Sequence, residues 1–222
     1  MNINKRGEYI MKNRAKVVPH VIRVLFLLLF FVFIFKTKSM LWLLIFLFSL
    51  VIAIFFGRIY CGYICPMNTL MIPVDWLSKK ANIQKLEGPK WLKNGYFTWI
   101  SLLASLLLMV LTKVIFHIEF PLLIFWFVLS VLITIRYKPE VFHNLICPLA
   151  GPQKLFGRFA ILSRKVNEEG CIGCKLCEKV CPSHAIEVSP EKSKASINTG
   201  LCFQCTECQN ICPVNVIPYG RG

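Results

Sequence analysis

The chain is 222 residues long and 56% hydrophobic, with 18 Phe and a mean hydropathy of +0.60. That is too apolar for a soluble domain of this length and indicates a membrane class. The net charge of +15 invites a nucleic-acid reading, but the positions of the charges, taken up below, argue against it.

The chain opens with a basic segment, 1–16, expected on the cytoplasmic side. Four apolar runs follow, at roughly 17–35, 40–56, 95–116 and 118–135. Each is close to the ~20 residues that cross a hydrocarbon core. Arg23 lies inside the first run and is expected to snorkel to the interface. The basic-then-apolar start mimics a secretory signal, but "KTKSMLW" follows where a small-residue cleavage site would stand, so an uncleaved helix is expected. Short links make two helical hairpins, with "KTKS" (36–39) at one turn and His117 at the other.

Lys and Arg set the orientation. Segments 1–23, 57–95 and 136–165 together hold eighteen, whereas the opposite side holds only Lys36, Lys38 and Lys113. Both termini and the central loop are therefore expected in the cytoplasm. Most of the positive charge is topological, and no nucleic acid is expected as a partner.

After the second run comes "GRIYCGYICPMN" (57–68), with Cys61 and Cys65 four apart and Pro66 behind them. The stretch "LMIPVDWLSKK" then reads as an amphipathic segment along the membrane surface. After the fourth run the chain reads "VFHNLICPL" (141–149), a copy of "IYCGYICPM" (59–67) at an offset of 82. His143 stands where the first copy has Cys61, and Cys147 matches Cys65. Two parallel hairpin repeats about an axis along the membrane normal would bring the copies face to face. Cys61, Cys65, His143 and Cys147 then form one shared redox or metal site, act as separate redox-active thiols, or simply pack at helix ends with His143 solvated on a loop. Histidine can replace cysteine as a ligand, and free cysteine is often buried.

The last third carries eight of the eleven cysteines. The odd total and the short regular spacings argue against a disulfide framework and favour ligation by reduced thiolates. Residues 171–182 read "CIGCKLCEKVCP" and residues 202–213 read "CFQCTECQNICP", two C-x2-C-x2-C-x3-C-P runs offset by 31. This run holds 4Fe-4S clusters, the fourth cysteine of each serving the other cluster. The expected ligands are Cys171, Cys174, Cys177 and Cys212 for one cluster, and Cys202, Cys205, Cys208 and Cys181 for the second. Zinc ribbons also use C-x2-C pairs, but they need no third cysteine in both halves. "AIEV" (185–188) and "ASIN" (195–198) suit a short hairpin.

The segment 165–218 closely resembles the two-cluster bacterial ferredoxin domain. With the membrane hairpins and the Cys-x-x-x-Cys-Pro motif, the chain over roughly 15–218 resembles the NapH-type membrane iron–sulfur proteins. That resemblance implies four membrane helices, a cytoplasmic ferredoxin domain and a link to quinol oxidation. Relatives in that family act in maturation of other metalloenzymes, where copper reduction is proposed. The second motif of the family commonly has two cysteines, and here one of them is His143.

The expected fold is therefore membrane α-helical, with four transmembrane helices as two hairpin repeats, plus a small α+β two-cluster ferredoxin-like domain. The expected divisions are 1–16, a four-helix membrane domain at 17–164 and the ferredoxin-like domain at 165–222. The expected function is electron transfer between the quinone pool, or membrane partners, and two cytoplasmic 4Fe-4S clusters. The alternative is an assembly or regulatory reductase acting on copper or thiols. Expected partners are the lipid bilayer of a bacterial or archaeal cytoplasmic membrane, quinone and redox proteins. A further metal or Fe–S site at the juxtamembrane motifs and quinol as a substrate are also expected. By chemistry alone His20, His117 and Glu119 could accept a quinol proton.

Overall fold

Long apolar helices fill the first two-thirds of the chain because leucine, phenylalanine, isoleucine and valine run on with few charges or helix breakers. In a computed structural model, the backbone is described for residues 3–36, 39–84, 88–89, 92, 94–115, 117 and 121–221, and side chains from residue 17 onward except 37–40. Glu119 lies outside the described residues. Helix α1 spans Ile3–Phe35, α2 Ser39–Phe56, α3 Pro66–Lys80, α4 Phe97–Ile115 and α5 Leu122–Arg136. A short helix α6, Pro139–Val141, is followed by α7, Ala150–Gly157. The last part holds β1 (Leu162–Arg164), α8 (Leu176–Val180), β2 (Ile186–Val188), β3 (Ala195–Ile197), α9 (Glu207–Ile211) and β4 (Tyr219–Arg221).

Helix α1 begins well before the apolar run at 17–35, because the basic segment ahead of it continues the same helix. Helix α5 starts later than expected, at Leu122, because Pro121 occupies its N-cap. Among the described residues, two helices are long and apolar enough to cross a membrane: Val17–Phe35 of α1, mean hydropathy 2.6, and Phe97–Ile115 of α4, mean hydropathy 2.0. The apolar parts of α2 and α5, Leu41–Phe56 and Leu122–Arg136, are shorter. All four helices turn large apolar side chains outward: Leu25 and Leu28, Leu47 and Phe48, Leu103 and Leu107, Val128 and Leu132 are exposed.

The chain divides into two compact units, Met1–Cys65 with Phe156–Gly222, and Pro66–Leu155. In the first, α1 packs on α2 through Trp42, whose ring meets Phe30 edge-on at 5.1 Å and Phe33 at 6.2 Å. Ile161 N–H donates to Ile54 O at 3.1 Å, fastening the end of α2 to the start of the cysteine-rich segment. That segment has two small antiparallel sheets. In one, β2 pairs with β3 in the register Ile186↔Ile197, Glu187↔Ser196, Val188↔Ala195, the hairpin expected from sequence. In the other, β1 pairs with β4, Leu162 opposite Arg221. Ile186, Val188, Ala195 and Ile217 form a core with Cys177 and Cys208.

In the second unit α3 packs against α5, and α4 against the turn that follows α6. The buried positions of α5 are Trp126, Ser130 and Thr134, four apart on one face. Ser130 and Thr134 hydroxyls donate to Phe127 O (2.6 Å) and Ser130 O (2.7 Å) of their own helix. On α4, Ser101 and Ser105 do the same, donating to Thr98 O (3.0 Å) and Ser101 O (2.6 Å), while Thr98 donates to Gly95 O just ahead of the helix. Small hydroxyl residues bonded back to their own helix allow close packing without an orphaned donor.

Candidate functional site: two cysteine loops and two juxtamembrane turns

Each C-x2-C-x2-C run is an irregular loop that enters a one-turn helix. The third cysteine lies inside that helix (Cys177 in α8, Cys208 in α9) and the fourth caps it in extended conformation (Cys181, φ −72°; Cys212, φ −67°). Pro182 and Pro213 then stop any further turn. The repeat extends to the backbone. Gly173 (φ +66°) and Gln204 (φ +58°) stand 31 apart in left-handed conformation, as do His184 (φ +52°) and Asn215 (φ +57°).

One recess is lined by Cys171, Cys174 and Cys177 of the first run together with Cys212 of the second. The other set is joined electrostatically. Burial, with a smaller contribution from Cys181, pushes up the thiols of Cys202, Cys205 and Cys208, while Arg164 pulls down Cys202 and Cys208 and Arg23 pulls down Cys205. Cys202 and Cys208 reach about 12. Thiols held so high bind metal only by giving up their protons. Backbone N–H groups already point at two sulfurs: Ala185 N to Cys181 Sγ at 3.2 Å and Gln204 N to Cys202 Sγ at 3.4 Å.

The donor chemistry fits a cubane better than zinc. A single tetrahedral zinc with Zn–S near 2.3 Å needs its sulfurs drawn to one point, roughly 3.8 Å apart. Among the described residues, no three His, Cys, Asp or Glu side chains converge in that way, yet four cysteines share one recess.

The two loops differ in surroundings. Cys174 of the first is exposed, whereas Cys202, Cys205 and Cys208 are buried. The second loop lies against the turn that follows α2. That turn, Tyr60–Ile64, is a π-helical turn closed by Cys65 N–H donating to Tyr60 O at 2.8 Å. Its sequence copy, Phe142–Ile146, is the same turn, closed by Cys147 N–H donating to Phe142 O at 2.8 Å. Cys65 and Cys147 share extended dihedrals (φ −65°, ψ 117°; φ −58°, ψ 122°), each followed by proline. Such i→i+5 turns often mark functional sites, and four residues make nearly one turn of them. Each turn's first aromatic meets a buried tryptophan within its own unit. Trp42 Nε1 donates to Tyr60 Oη at 2.9 Å, and the Trp126 ring lies 6.4 Å from Phe142.

Cys61 and Cys65 are buried in the first unit, His143 and Cys147 in the second. His143 is 1% exposed and its ring meets Phe142 edge-on, so a solvated loop histidine is ruled out. His20 and His117 are both exposed.

Arg23 does not snorkel. It is buried, donates from Nε to Gly62 O at 2.8 Å and lies over the Tyr63 ring. A carbonyl in the turn gives the guanidinium a partner without a path to water. Arg58, read from sequence only as topological charge, is wholly buried. Its Nη1 faces Gly200 O and Leu201 O at 3.4 Å, its Nη2 faces Cys61 Sγ at 3.6 Å, and its guanidinium covers the Phe203 ring at 4.9 Å. Gly57, Gly62, Tyr63 and Gln204 complete this junction and were also missed. The signal was the Gly-Arg pair directly between an apolar run and a cysteine.

The chain matches the 4Fe-4S binding domain over residues 39–84 and 119–167, and the 4Fe-4S dicluster domain over residues 170–216. The first match falls once on each hairpin's second apolar run and the turn after it. The chain is similar to an uncharacterized protein of Methanocaldococcus jannaschii, 30% identical over 60% of this chain and 55% of that protein. It is also similar to the methylamine utilization ferredoxin-type protein MauN of Paracoccus denitrificans, 29% identical over 67% of this chain and 58% of that protein. MauN of Methylobacillus flagellatus is 29% identical over 58% of this chain and 50% of its own length. The chain thus spans a little over half the length of the curated relatives it matches. No solved structure matches it. The chain carries ferredoxin-type 4Fe-4S binding domains, and its cofactors are two 4Fe-4S clusters.

Proposed function

We propose that this is a membrane-bound electron carrier of the NapH-like kind, with four helices crossing the bilayer as two hairpins and both clusters on the cytoplasmic side. Cys171, Cys174, Cys177 and Cys212 hold one cluster, and Cys202, Cys205, Cys208 and Cys181 hold the other. When bound, each cluster carries one electron. The observation that supports this most is the crossed cysteine set: Cys212 shares a recess with the first run, and Cys181 acts on all three thiols of the second.

The outward apolar faces of α1, α2, α4 and α5 support the membrane placement, since soluble monomers rarely expose such large continuous apolar surface. The charge asymmetry of the loops supports a cytoplasmic ferredoxin-like segment. Quinone as the membrane-side partner is supported by a cleft of about 590 Å³ between α4 and α5 in the second unit. Ile100, Ala104, Leu108, Phe125 and Trp126 wall it, with Ser101 and Ser105 the hydroxyls within it. Its size and apolar character suit a small hydrophobic ligand.

A second reading is reduction of a metal or thiol during maturation of another enzyme. The 4Fe-4S binding domain match over both juxtamembrane turns favours it, because Cys61 and Cys65 in the first turn, and His143 and Cys147 in the second, are ligand types that suit a further metal or Fe–S centre. Detergent-purified full-length protein distinguishes the two under anaerobic conditions. Duroquinol should reduce the clusters, read as bleaching of the visible cluster absorbance. Inert quinol, together with one-electron transfer from dithionite-reduced clusters to added Cu(II), read as cluster reoxidation and Cu(I) formation, would replace the quinone reading with the maturation reading.

A further inference from the structure

The geometry points to a fixed order of the two clusters: the cluster of the second cysteine loop faces the Gly57–Cys65 turn, and Arg58 is the positioning residue of that junction. The inference rests on the ligand assignment above and concerns which of the two clusters meets the membrane-side turn.

The second loop and the turn fit each other at backbone distance. A Cβ on Gly62 would stand 2.3 Å from Phe203 O, and one on Gly57 would stand 2.5 Å from Gln204 Nε2. Tyr63 Oη donates to Gln204 O at 3.2 Å. Gln204 is itself pinned, its Nε2 donating to Ser163 Oγ at 2.8 Å and its Oε1 accepting from Arg164 N at 3.2 Å. Residues 200–204, the stretch around Cys202, are thus held by the turn on one side and by β1 on the other. Arg58 touches both partners of the junction at once. It faces two carbonyls just ahead of Cys202, covers Phe203 just behind it, and meets the sulfur of Cys61 in the turn. Gly157 lies directly over its stem, where a Cβ would come within 2.9 Å of Arg58 Cγ. Arg23 adds a second buried guanidinium, bonded to Gly62 O, and its charge reaches Cys205.

Among the described residues the first loop meets no such turn. Its close approaches come from its own domain: Ser193 O stands 2.3 Å from where a Cβ on Gly173 would be, and Lys194 Nζ donates to Cys171 O at 2.6 Å. Cys174 and Lys175 are exposed and Ile172 is 61% exposed. One cluster therefore sits against the membrane-side turn, with Cys61 beside it, and the other faces water. A cation near a cluster favours its more negative reduced form, so removing that cation lowers the reduction potential of the cluster it faces.

Redox titration of the full-length protein in detergent, followed by electron paramagnetic resonance, tests this. Arg58→Gln should lower the midpoint of one cluster signal and leave the other in place, and Lys194→Gln should lower the other. Arg23→Gln, which leaves Arg58 intact, should move the same signal as Arg58→Gln and decides the matter if Arg58→Gln fails to fold. A water-soluble relaxing agent, Dy(III)–EDTA, should broaden the Lys194-linked signal and spare the Arg58-linked one. Arg58→Gln and Lys194→Gln acting on one signal, neither arginine variant moving any signal, or equal broadening of both would overturn the inference while leaving the two-cluster reading intact. Wild-type protein without two cluster signals would overturn both.

Discussion

Gln204 concentrates the logic of the second cysteine loop in one residue. It occupies the left-handed region that its repeat partner Gly173 fills without cost, and it is 4% exposed. A non-glycine residue there loses about 1–2 kcal/mol. The bonds to Ser163 and Arg164, each worth about 1 kcal/mol, offset that loss. Both Gln204→Ala and Gln204→Gly lose those bonds, but only alanine keeps the strain. Thermal unfolding should therefore rank wild type first, glycine second and alanine last, the reverse of the usual order at ordinary positions; alanine at or above glycine would remove strain from the account. The two repeated cysteine runs were legible because their spacing is local and needs no tertiary information. Arg58, Arg23 and Gln204 were not legible, because their partners lie 142, 39 and 41 residues away. From sequence a buried arginine and a topological one look alike.

Among the elements, the two π-helical turns carry the repeat. The offset of 82 and the shared Cys-Pro ending were visible in the sequence, and both copies close with the same Cys N–H bond at 2.8 Å. The turn type was not visible, since an i→i+5 bond leaves no composition signature. The β2–β3 hairpin was legible from two β-prone tetrads around a polar turn. The β1–β4 pair was not, because three-residue strands 55 positions apart offer neither a turn nor an alternation to read. The turns also differ in use. The first has Gly62 where the second has Asn144, a residue with a Cβ. Phe203 O is backbone and cannot swing aside from a new methyl at position 62. Gly62→Ala should cost about 1–3 kcal/mol and should raise hydrogen exchange at residues 200–205 more than at 171–177. Uniform exchange, or an unchanged melting temperature, would mean that the loop is not docked on the turn.

Over the whole molecule, the sequence pattern separates apolar helices from a cysteine-rich end, and the structure keeps that separation in its secondary structure. Its compact units are drawn differently: α1, α2 and the first turn group with the segment from Phe156 onward, and α3 to α6 with most of α7 form the rest. Contacts such as Ile161 to Ile54 and Arg58 to Gly200 make that grouping, and none could be read from hydropathy. The four apolar runs were legible, but their ends were not, because Pro121 and the helical basic segment shift the boundaries that hydropathy suggests.

In the proposed ligand assignment, eight cysteines in crossed sets hold the two 4Fe-4S clusters. Iron and acid-labile sulfide in anaerobically purified full-length protein, measured with electron paramagnetic resonance after dithionite reduction, test it most directly. At least ~8 iron and ~8 sulfide per chain are expected, with two reducible cluster signals. Stoichiometric zinc without labile sulfide, or iron that gives a single cluster signal, would contradict it.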